Sequence, residues 1–331
     1  MTETAMEKKK MPFPAVLKGH LYFTGLDSML KIGFIGAGTV GSALAVKLHE
    51  NNYKIVAVSS RTGISSERLA GKIAGCIAAK NNQQVADVSD LVFITTPDSQ
   101  IPVVVASVYW HAGQSVIHCS GADSAEILHP AFNLGAQIGA FHPLQTFASV
   151  KQAIDNLAGS TFAIEAEGPL KNTLKEFAAA LKGNCIELKA SDKVIYHAAA
   201  VMACNYLTTL VKLADDLWQT FGIPRDEATR ALLPLLQGTL NNIAAVGIPQ
   251  ALTGPVARGD IGTVEKHIEA LRREAPDVLY TYCELGLQTI PVALAKGKID
   301  ENKAAELRAA FKTGMKRQIK MEQTNDILPV L

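Results

Sequence analysis

The chain has 331 residues, enough for two hydrophobic cores. Hydrophobic residues make up 48% and charged residues 19%, the composition of a globular rather than a disordered chain. With 32 basic against 31 acidic residues the net charge is +1, which leaves no electrostatic footprint for nucleic acid or an anionic membrane surface. The five cysteines, Cys76, Cys119, Cys185, Cys204 and Cys283, are scattered and show no CxxC spacing. That pattern argues against a disulfide framework and against a metal site, and for a reducing compartment, the cytoplasm.

Residues 1–28 read as an N-terminal extension. Lys8, Lys9 and Lys10 precede a short apolar run, Met11–Leu17, that contains Pro12 and Pro14 and is cut short by Lys18. It has no small-residue cleavage site, so a signal peptide is not expected. No window is expected to approach the roughly 20 apolar residues of a membrane span, so no membrane partner is expected either.

Strand-length apolar runs then alternate with helical stretches. The strands are expected at Leu30–Ile35, Lys54–Ser59, weakly at Gly75–Ala79, then Leu91–Thr95, Ser115–Cys119 and Gln137–Phe141. Helices between them include Gly41–Asn51 and Ser66–Gly75. Thr161–Ile164 and Cys185–Leu188 bracket a helical pattern at Leu170–Leu181 and extend the same sheet. This alternation predicts an α/β fold with a doubly wound, mostly parallel sheet. After Ala190 the strands stop. Helices are expected over Ser191–Phe221, Arg225–Ala245, Thr263–Ala270, Pro276–Lys296 and Glu301–Lys320, punctuated by Gly222, Pro224, Gly247, Pro249, Gly254 and Pro255. The organisation expected is an extension (1–28), a sheet domain (29–190) and an all-α domain (191–331).

Gly36-Ala37-Gly38-Thr39-Val40-Gly41 follows the first strand and opens the first helix. In that context a GxGxxG turn binds a dinucleotide: Gly36 permits the tight turn, Gly38 lets the backbone approach the pyrophosphate, and Gly41 lets helix and strand pack closely. The pyrophosphate meets free amides at the positive end of the helix dipole. An ordinary glycine turn is the alternative, and the agreement of strand, turn, helix and second strand argues against it. The second strand ends Ser59-Ser60-Arg61-Thr62, with no acid to hold a ribose 2′-hydroxyl. Arg61 can pair with a 2′-phosphate and the three hydroxyls can donate to it, so NADP (NADPH) is expected in preference to NAD. Thr95-Thr96-Pro97, at the end of the fourth strand, is expected to wall the nicotinamide pocket, or else to be a plain loop with Asp98 near a helix start.

Two further strand ends carry polar residues that packing does not require. Ser120 and Gly121 follow one, and His142 stands at the other. Ser120 can hold a substrate oxygen, and His142 can bind a carboxylate or act as an acid, unless it is simply a satisfied core histidine. At the start of the helical domain Lys193 and His197 lie one turn apart on one face, and Asn205 lies two turns beyond, rotated by about 80°. Hydride delivery to a carbonyl or imine needs a proton donor, which Lys193 or His197 can supply. Arg258, between glycines, can clamp a substrate carboxylate or pair with Asp260 to brace its loop.

Taken together, G-A-G-T-V-G, S-S-R-T, H-C-S-G-A, A-F-H-P-L-Q-T-F, Y-H-A-A-A-V-M-A-C-N-Y and G-P-V-A-R-G-D make the chain resemble, over about residues 30 to 320, the Rossmann-like oxidoreductases with a helical C-terminal domain of unknown function. Their wider relatives include 6-phosphogluconate and β-hydroxyacid dehydrogenases, ketopantoate reductase, pyrroline-5-carboxylate reductase and prephenate dehydrogenase. The β-hydroxyacid group places Asn four residues after its Lys, where this chain has His197 after Lys193. The resemblance implies NADPH-linked reduction of a small keto acid, ketopantoate-like, by a homodimer whose helical domain closes over the substrate. Lys193, His197 and Asn205 would be catalytic, and Ser120, Gly121, His142 and Arg258 would bind substrate. The alternatives are an imine reductase of the pyrroline-5-carboxylate type and a non-catalytic NADP-binding sensor or scaffold.

Overall fold

The computed structural model describes residues 29–325, and side chains to residue 316; the N-terminal extension lies outside the described residues. In chain order the first compact unit contains β1 (Lys31–Ile35), α1 (Thr39–Glu50), β2 (Lys54–Ser59), α2 (Gly63–Ala70), β3 (Ile77–Ala78), α3 (Asn82–Val88), β4 (Leu91–Ile94), α4 (Ile101–Ser107), β5 (Ser115–His118), α5 (His129–Phe132), β6 (Gln137–Leu144), α6 (Val150–Asn156), β7 (Thr161–Ala166), α7 (Gly168–Ala180), β8 (Asn184–Glu187) and α8 (Lys193–Ala203). It ends at Cys204. The sequence-based limit at residue 190 falls before α8 instead. Here α8 belongs with the sheet, because its first residue, Lys193, is buried and hydrogen-bonded to the loop after β5.

The strands form one sheet in the order β3-β2-β1-β4-β5-β6-β7-β8. All neighbours are parallel except β6 and β7. The strand order reverses between β1 and β4, which makes a switch point there, and crevices at such points receive ligands. The inner strands β1, β4 and β5 are buried on both faces, so they read as nearly continuous apolar runs, whereas the edge strands β3 and β8 are exposed. Alternate residues still divide between two cores. Phe34, Phe93 and Phe141 face α1 and α7 with Phe162 and Phe177, whereas Ile35, Val92 and Ile94 face α3 and α4 with Trp110. Phe34 stacks on Phe93 at 5.0 Å and Phe141 on Phe162 at 4.6 Å, tying the parallel strands to the antiparallel edge.

The expected strand Gln137–Phe141 continues to Leu144, since pairing with β7 satisfies its backbone through His142↔Ala163 and Leu144↔Thr161. His142 therefore lies within a strand rather than beyond its end. The expected single helix Ser191–Phe221 is broken at Cys204, so Asn205 opens a separate helix and no continuous helical face joins it to His197.

The second unit begins at Asn205 and holds α9 (Asn205–Gln219), α10 (Arg225–Val246), α11 (Ile248–Ala251), α12 (Pro255–Arg258), α13 (Ile261–Glu274), α14 (Pro276–Lys296) and α15 (Glu301–Asn325). The described residues after β8 contain no strand, as expected. Its core is Val264, Ile268, Leu279, Cys283, Ile290, Leu307 and Phe311. Gly286 is glycine because a Cβ there would strike the Phe311 ring.

One expectation fails. The run Ala190–Gln219 is long and apolar enough to cross a membrane by length and composition, with mean hydropathy 1.4, and none of its apolar window is buried. Charged residues flank the apolar stretch on both sides, Lys193 before it and Lys212 after it, and they mask its length in the sequence.

Phe311 is fully buried at the centre of the second core. Phe311→Ala is expected to destabilise this unit by about 3–5 kcal/mol, read as a lowered urea midpoint; a loss below about 1 kcal/mol would mean the core is not packed as described.

Candidate active site

The turn after β1 is shaped by close approach. Gly36 has φ +114°, which L side chains rarely adopt, and a Cβ on it would lie 2.7 Å from the Thr95 carbonyl. The Thr95 hydroxyl donates to the Gly36 carbonyl at 2.7 Å, locking the end of β4 to the turn. A Cβ on Gly41 would strike both the Gly36 carbonyl and the Thr95 hydroxyl. So Gly41 lets α1 pack on the turn and on β4, a tighter requirement than helix–strand packing alone. Gly38 differs: nothing lies within 4 Å of where its Cβ would be. It caps α1 without a side-chain hydrogen bond, and no acid stands in the first turn. The amides of Thr39, Val40 and Gly41 are the orphan donors of this helix end.

A cavity of about 500 Å³ opens at this point. Gly36, Ala37, Gly38, Ser60, Arg61, Thr62, Thr95, Thr96 and Pro97 line it, with Asn82 and the α4 side chains Val103 and Val104. Arg61 is the one charged residue of the lining, which contains no carboxylate. The Thr96 hydroxyl is buried without a partner. An open space over Gly38, an unsatisfied donor and a bare helix N-terminus together fit a dinucleotide. Of the residues expected here, Thr39, Val40, Gly41 and Ser59 do not line the cavity; the first three open α1 behind Gly38, and Ser59 is turned away. It is 2% exposed and its hydroxyl donates to Asn82 Oδ1 at 2.8 Å, so it braces the cavity wall and does not face the cavity. The Ser60 hydroxyl is also committed, donating to the Thr62 carbonyl and accepting from the Ser66 amide.

A second polar centre forms where the β5 loop meets β6, β7 and α8. His118 is fully buried and accepts from the Ser120 amide on Nδ1 at 3.1 Å, so its Nε2–H donates to the Ser124 carbonyl. Burial holds its pKa down at about 3, with the Lys193 charge acting in the same direction. The Ser120 hydroxyl lies 2.9 Å from Asp98 Oδ2 and 3.0 Å from Asp123 Oδ2, and it accepts from the Asp123 amide. Glu165, at the end of β7, accepts from the Ser124 hydroxyl and the Ala125 amide. Lys193 is 1% exposed, donates to the Ser120 carbonyl at 3.0 Å and lies 4.0 Å from Glu165. Burial lowers its pKa, against the pull of Glu165 and other anions nearby.

His142 and His197 converge on Gly121. A Cβ there would lie 2.5 Å from His197 Nδ1 and 2.9 Å from His142 Nε2. His142 Nδ1 pairs with the Tyr196 hydroxyl at 2.8 Å. Burial first, then the Lys193 and His197 charges, lower the His142 pKa to about 4, so at neutral pH it is an uncharged ring and not an imidazolium for a carboxylate. Burial pushes the Tyr196 phenol up to about 12. His197 Nδ1 is buried without a partner.

The structure thus brings together Ser120, Gly121, His142, Lys193 and His197. Asn205 and Arg258 belong to the second unit. Arg258 forms no ion pair among the described residues; Asp260 caps α13 through the Thr263 amide and hydroxyl. Sequence reasoning missed the roles of Tyr196, Asp98, Asp123 and Glu165. The one signal for Glu165 was a charge at the end of an otherwise apolar strand. No cluster of three or more metal-ligating side chains occurs among the described residues.

Comparison with known proteins finds two family matches, the second of which begins just before β7 and runs across the boundary between the two units. A Rossmann-like domain matches residues 25–143 and a domain of unknown function, DUF2520, matches residues 160–289. A protein of Bacteroides fragilis described as an NADP oxidoreductase is 26% identical, with a TM-score of 0.63, covering 79% of this chain and 97% of that one. Protein TM1727 of Thermotoga maritima is 25% identical, with a TM-score of 0.66, covering 79% and 99%. A reductive aminase of Aspergillus terreus in complex with NADPH shares the fold at 14% identity, with a TM-score of 0.55, covering 88% and 95%. Among curated proteins, 2-(hydroxymethyl)glutarate dehydrogenase of Eubacterium barkeri is 32% identical over 77 residues; the match spans 23% of this chain and only 24% of that enzyme's length.

The two buried histidines set an acid limit. Unfolded, each titrates near 6.5; folded, His118 does so near 3 and His142 near 4. Below pH 6.5 the unfolded chain therefore takes up protons that the folded one refuses, and stability falls until the folded values are reached. Each pH unit in that window costs up to about 1.4 kcal/mol per histidine. Urea midpoints are expected to drop from pH 6.5 to 4, less steeply in His118→Gln; a flat profile in the wild type would contradict the buried, neutral rings.

Proposed function

For this chain, which belongs to the Rossmann-type oxidoreductases that carry a C-terminal DUF2520 domain, we propose the NADP-dependent reduction of a small keto acid, ketopantoate-like in size. The observation that carries the reading is the cavity at the switch point. It has a bare helix N-terminus for a pyrophosphate, Arg61 for a 2′-phosphate, and no carboxylate to hold a free ribose hydroxyl. The Bacteroides fragilis relative, described as an NADP oxidoreductase, supports the same cofactor.

When bound, the cofactor supplies a hydride to the carbonyl carbon. The chain's own residues then have three tasks. Gly38 and the first amides of α1 would hold the pyrophosphate, and the unpartnered Thr96 hydroxyl would be available to hydrogen-bond the cofactor from the cavity wall. His197, whose Nδ1 lies unpartnered beside Gly121, gives a proton to the developing alkoxide, and the buried Lys193 ammonium stabilises that charge from behind the Ser120 carbonyl. Tyr196 holds His142 so that its neutral ring offers a hydrogen bond rather than a charge. Asn205, as an orienting residue, and Arg258, as a carboxylate clamp, are proposed on the sequence alone.

A second substrate class has an observation in its favour. Asp98 and Asp123 flank the Ser120 hydroxyl and Glu165 lies 4.0 Å from Lys193, three carboxylates against one cation, a negative balance that suits a protonated imine better than a keto acid. This reading gives an imine reductase of the pyrroline-5-carboxylate type. A sensor or scaffold that binds NADP without turnover is the non-enzymatic alternative.

The chain is further proposed to act as a cytoplasmic homodimer. Val194, Ile195 and Met202 on α8, Tyr206 on α9, and Leu233, Leu235 and Leu240 on α10 are exposed, the apolar surface a second copy would cover.

With NADPH and a panel of keto and imine acids, the wild type is expected to turn over one class. The double variant Lys193→Met/His197→Ala is expected to lose at least about a hundredfold in kcat, the usual contribution of a positioned general acid. Full turnover by that variant would remove both residues from the mechanism, and no turnover of any acid by a wild type that binds NADPH would favour the sensor.

A further inference from the structure

A second, smaller cavity of about 310 Å³ lies between α1, α2 and α6. It shares Ala37 and Ser65 with the dinucleotide cavity, so the two adjoin at the start of α2. Three cations line it: Arg68 on α2, Lys72 just beyond α2 and Lys151 on α6. None of them forms an ion pair with the described residues, although most of the lysines and arginines that do so sit next to a carboxylate on their own helix. One carboxylate, Asp155, also lines the cavity, which leaves the positive charge in excess. Its floor is apolar, from Val46, Leu69 and Ile154, and a low-dielectric wall strengthens the field of nearby charges.

Lys151 sits in the first turn of α6, where the helix dipole disfavours a cation. The stability of α6 therefore does not call for a lysine there. The packing of α6 on α1 carries it to the rim of the cavity. Ser65, at the joint, pairs its hydroxyl with that of Thr62 at 3.2 Å, beside Arg61.

We propose that Arg68, Lys72 and Lys151 extend the dinucleotide site into a subsite for a phosphate monoester, occupied by the cofactor's 2′-phosphate. Arg61 lines the dinucleotide cavity from the β2 loop, and the three further cations line the adjoining one, Lys151 from a segment outside the first strand–helix–strand unit. The inference rests on the NADP reading of the site and names residues that the β2 loop alone does not supply. A dianion is attracted by all four charges, whereas the ribose hydroxyl of NADH is indifferent to them.

The test is calorimetric titration of the full chain and of Lys72→Ala/Lys151→Ala with NADPH, NADH and 2′-AMP at two salt concentrations. Both positions are exposed, so the variant is expected to fold, and NADH binding serves as the control. The expected result is a loss of at least about tenfold in affinity for NADPH and 2′-AMP, with NADH affinity within twofold and a weaker salt dependence than in the wild type. Unchanged NADPH affinity would overturn the proposal, and so would an equal loss for NADPH and NADH. Loss of 2′-AMP binding with NADPH affinity intact would also overturn it, assigning the cations to a separate phosphorylated ligand. A wild type that binds neither dinucleotide would instead sink the NADP reading itself.

Discussion

The first unit depends on one close approach, that of the turn after β1 to the end of β4. The Thr95 hydroxyl holds the Gly36 carbonyl, and neither Gly36 nor Gly41 has room for a Cβ. This contact fixes the start of α1 over the point where the strand order reverses. It leaves the α1 amides pointing into space that no side chain fills, because Gly38 stands there and no acid follows in the first turn. A helix end with unsatisfied donors is costly in isolation and becomes an anion site when a ligand completes it.

The loop after β5 solves a related problem with side chains. It runs past buried surface, so its backbone needs partners. His118 supplies two, Ser120 receives the Asp123 amide, and Glu165 receives the Ala125 amide. What remains uncommitted lies on one side: His197 Nδ1 and His142 Nε2, both against Gly121. Lys193 is buried within this network rather than free in the crevice; burial keeps both His118 and His142 neutral, and the Lys193 charge acts in the same direction. The electrostatics of the centre thus follow first from desolvation and then from one buried ammonium placed among carboxylates and imidazoles.

Much of this was legible in the sequence. The glycine turn, the Arg61 segment and Thr95–Pro97 were found because strand, turn and helix each carry a local signature that agrees with its neighbours. Lys193 and His197 were paired by helical spacing alone. What escaped was non-local. That β6 continues through His142 depends on antiparallel pairing with β7, which no local pattern encodes. Ser59 has the same chemistry as its neighbours, and only the position of Asn82 turns its hydroxyl away from the cavity. Helical periodicity ran unbroken through Cys204, so Asn205 was placed on the same helix as His197. The apolar stretch within Ala190–Gln219 was passed over because charged neighbours masked its length.

The most direct measurement of the central claim is amide hydrogen exchange with and without saturating NADPH. The account predicts added protection at the turns 36–41, 60–65 and 95–100, which line one cavity though they are far apart in the chain. Protection absent from these turns, or confined to the helices after residue 205, would place the dinucleotide elsewhere and contradict the account.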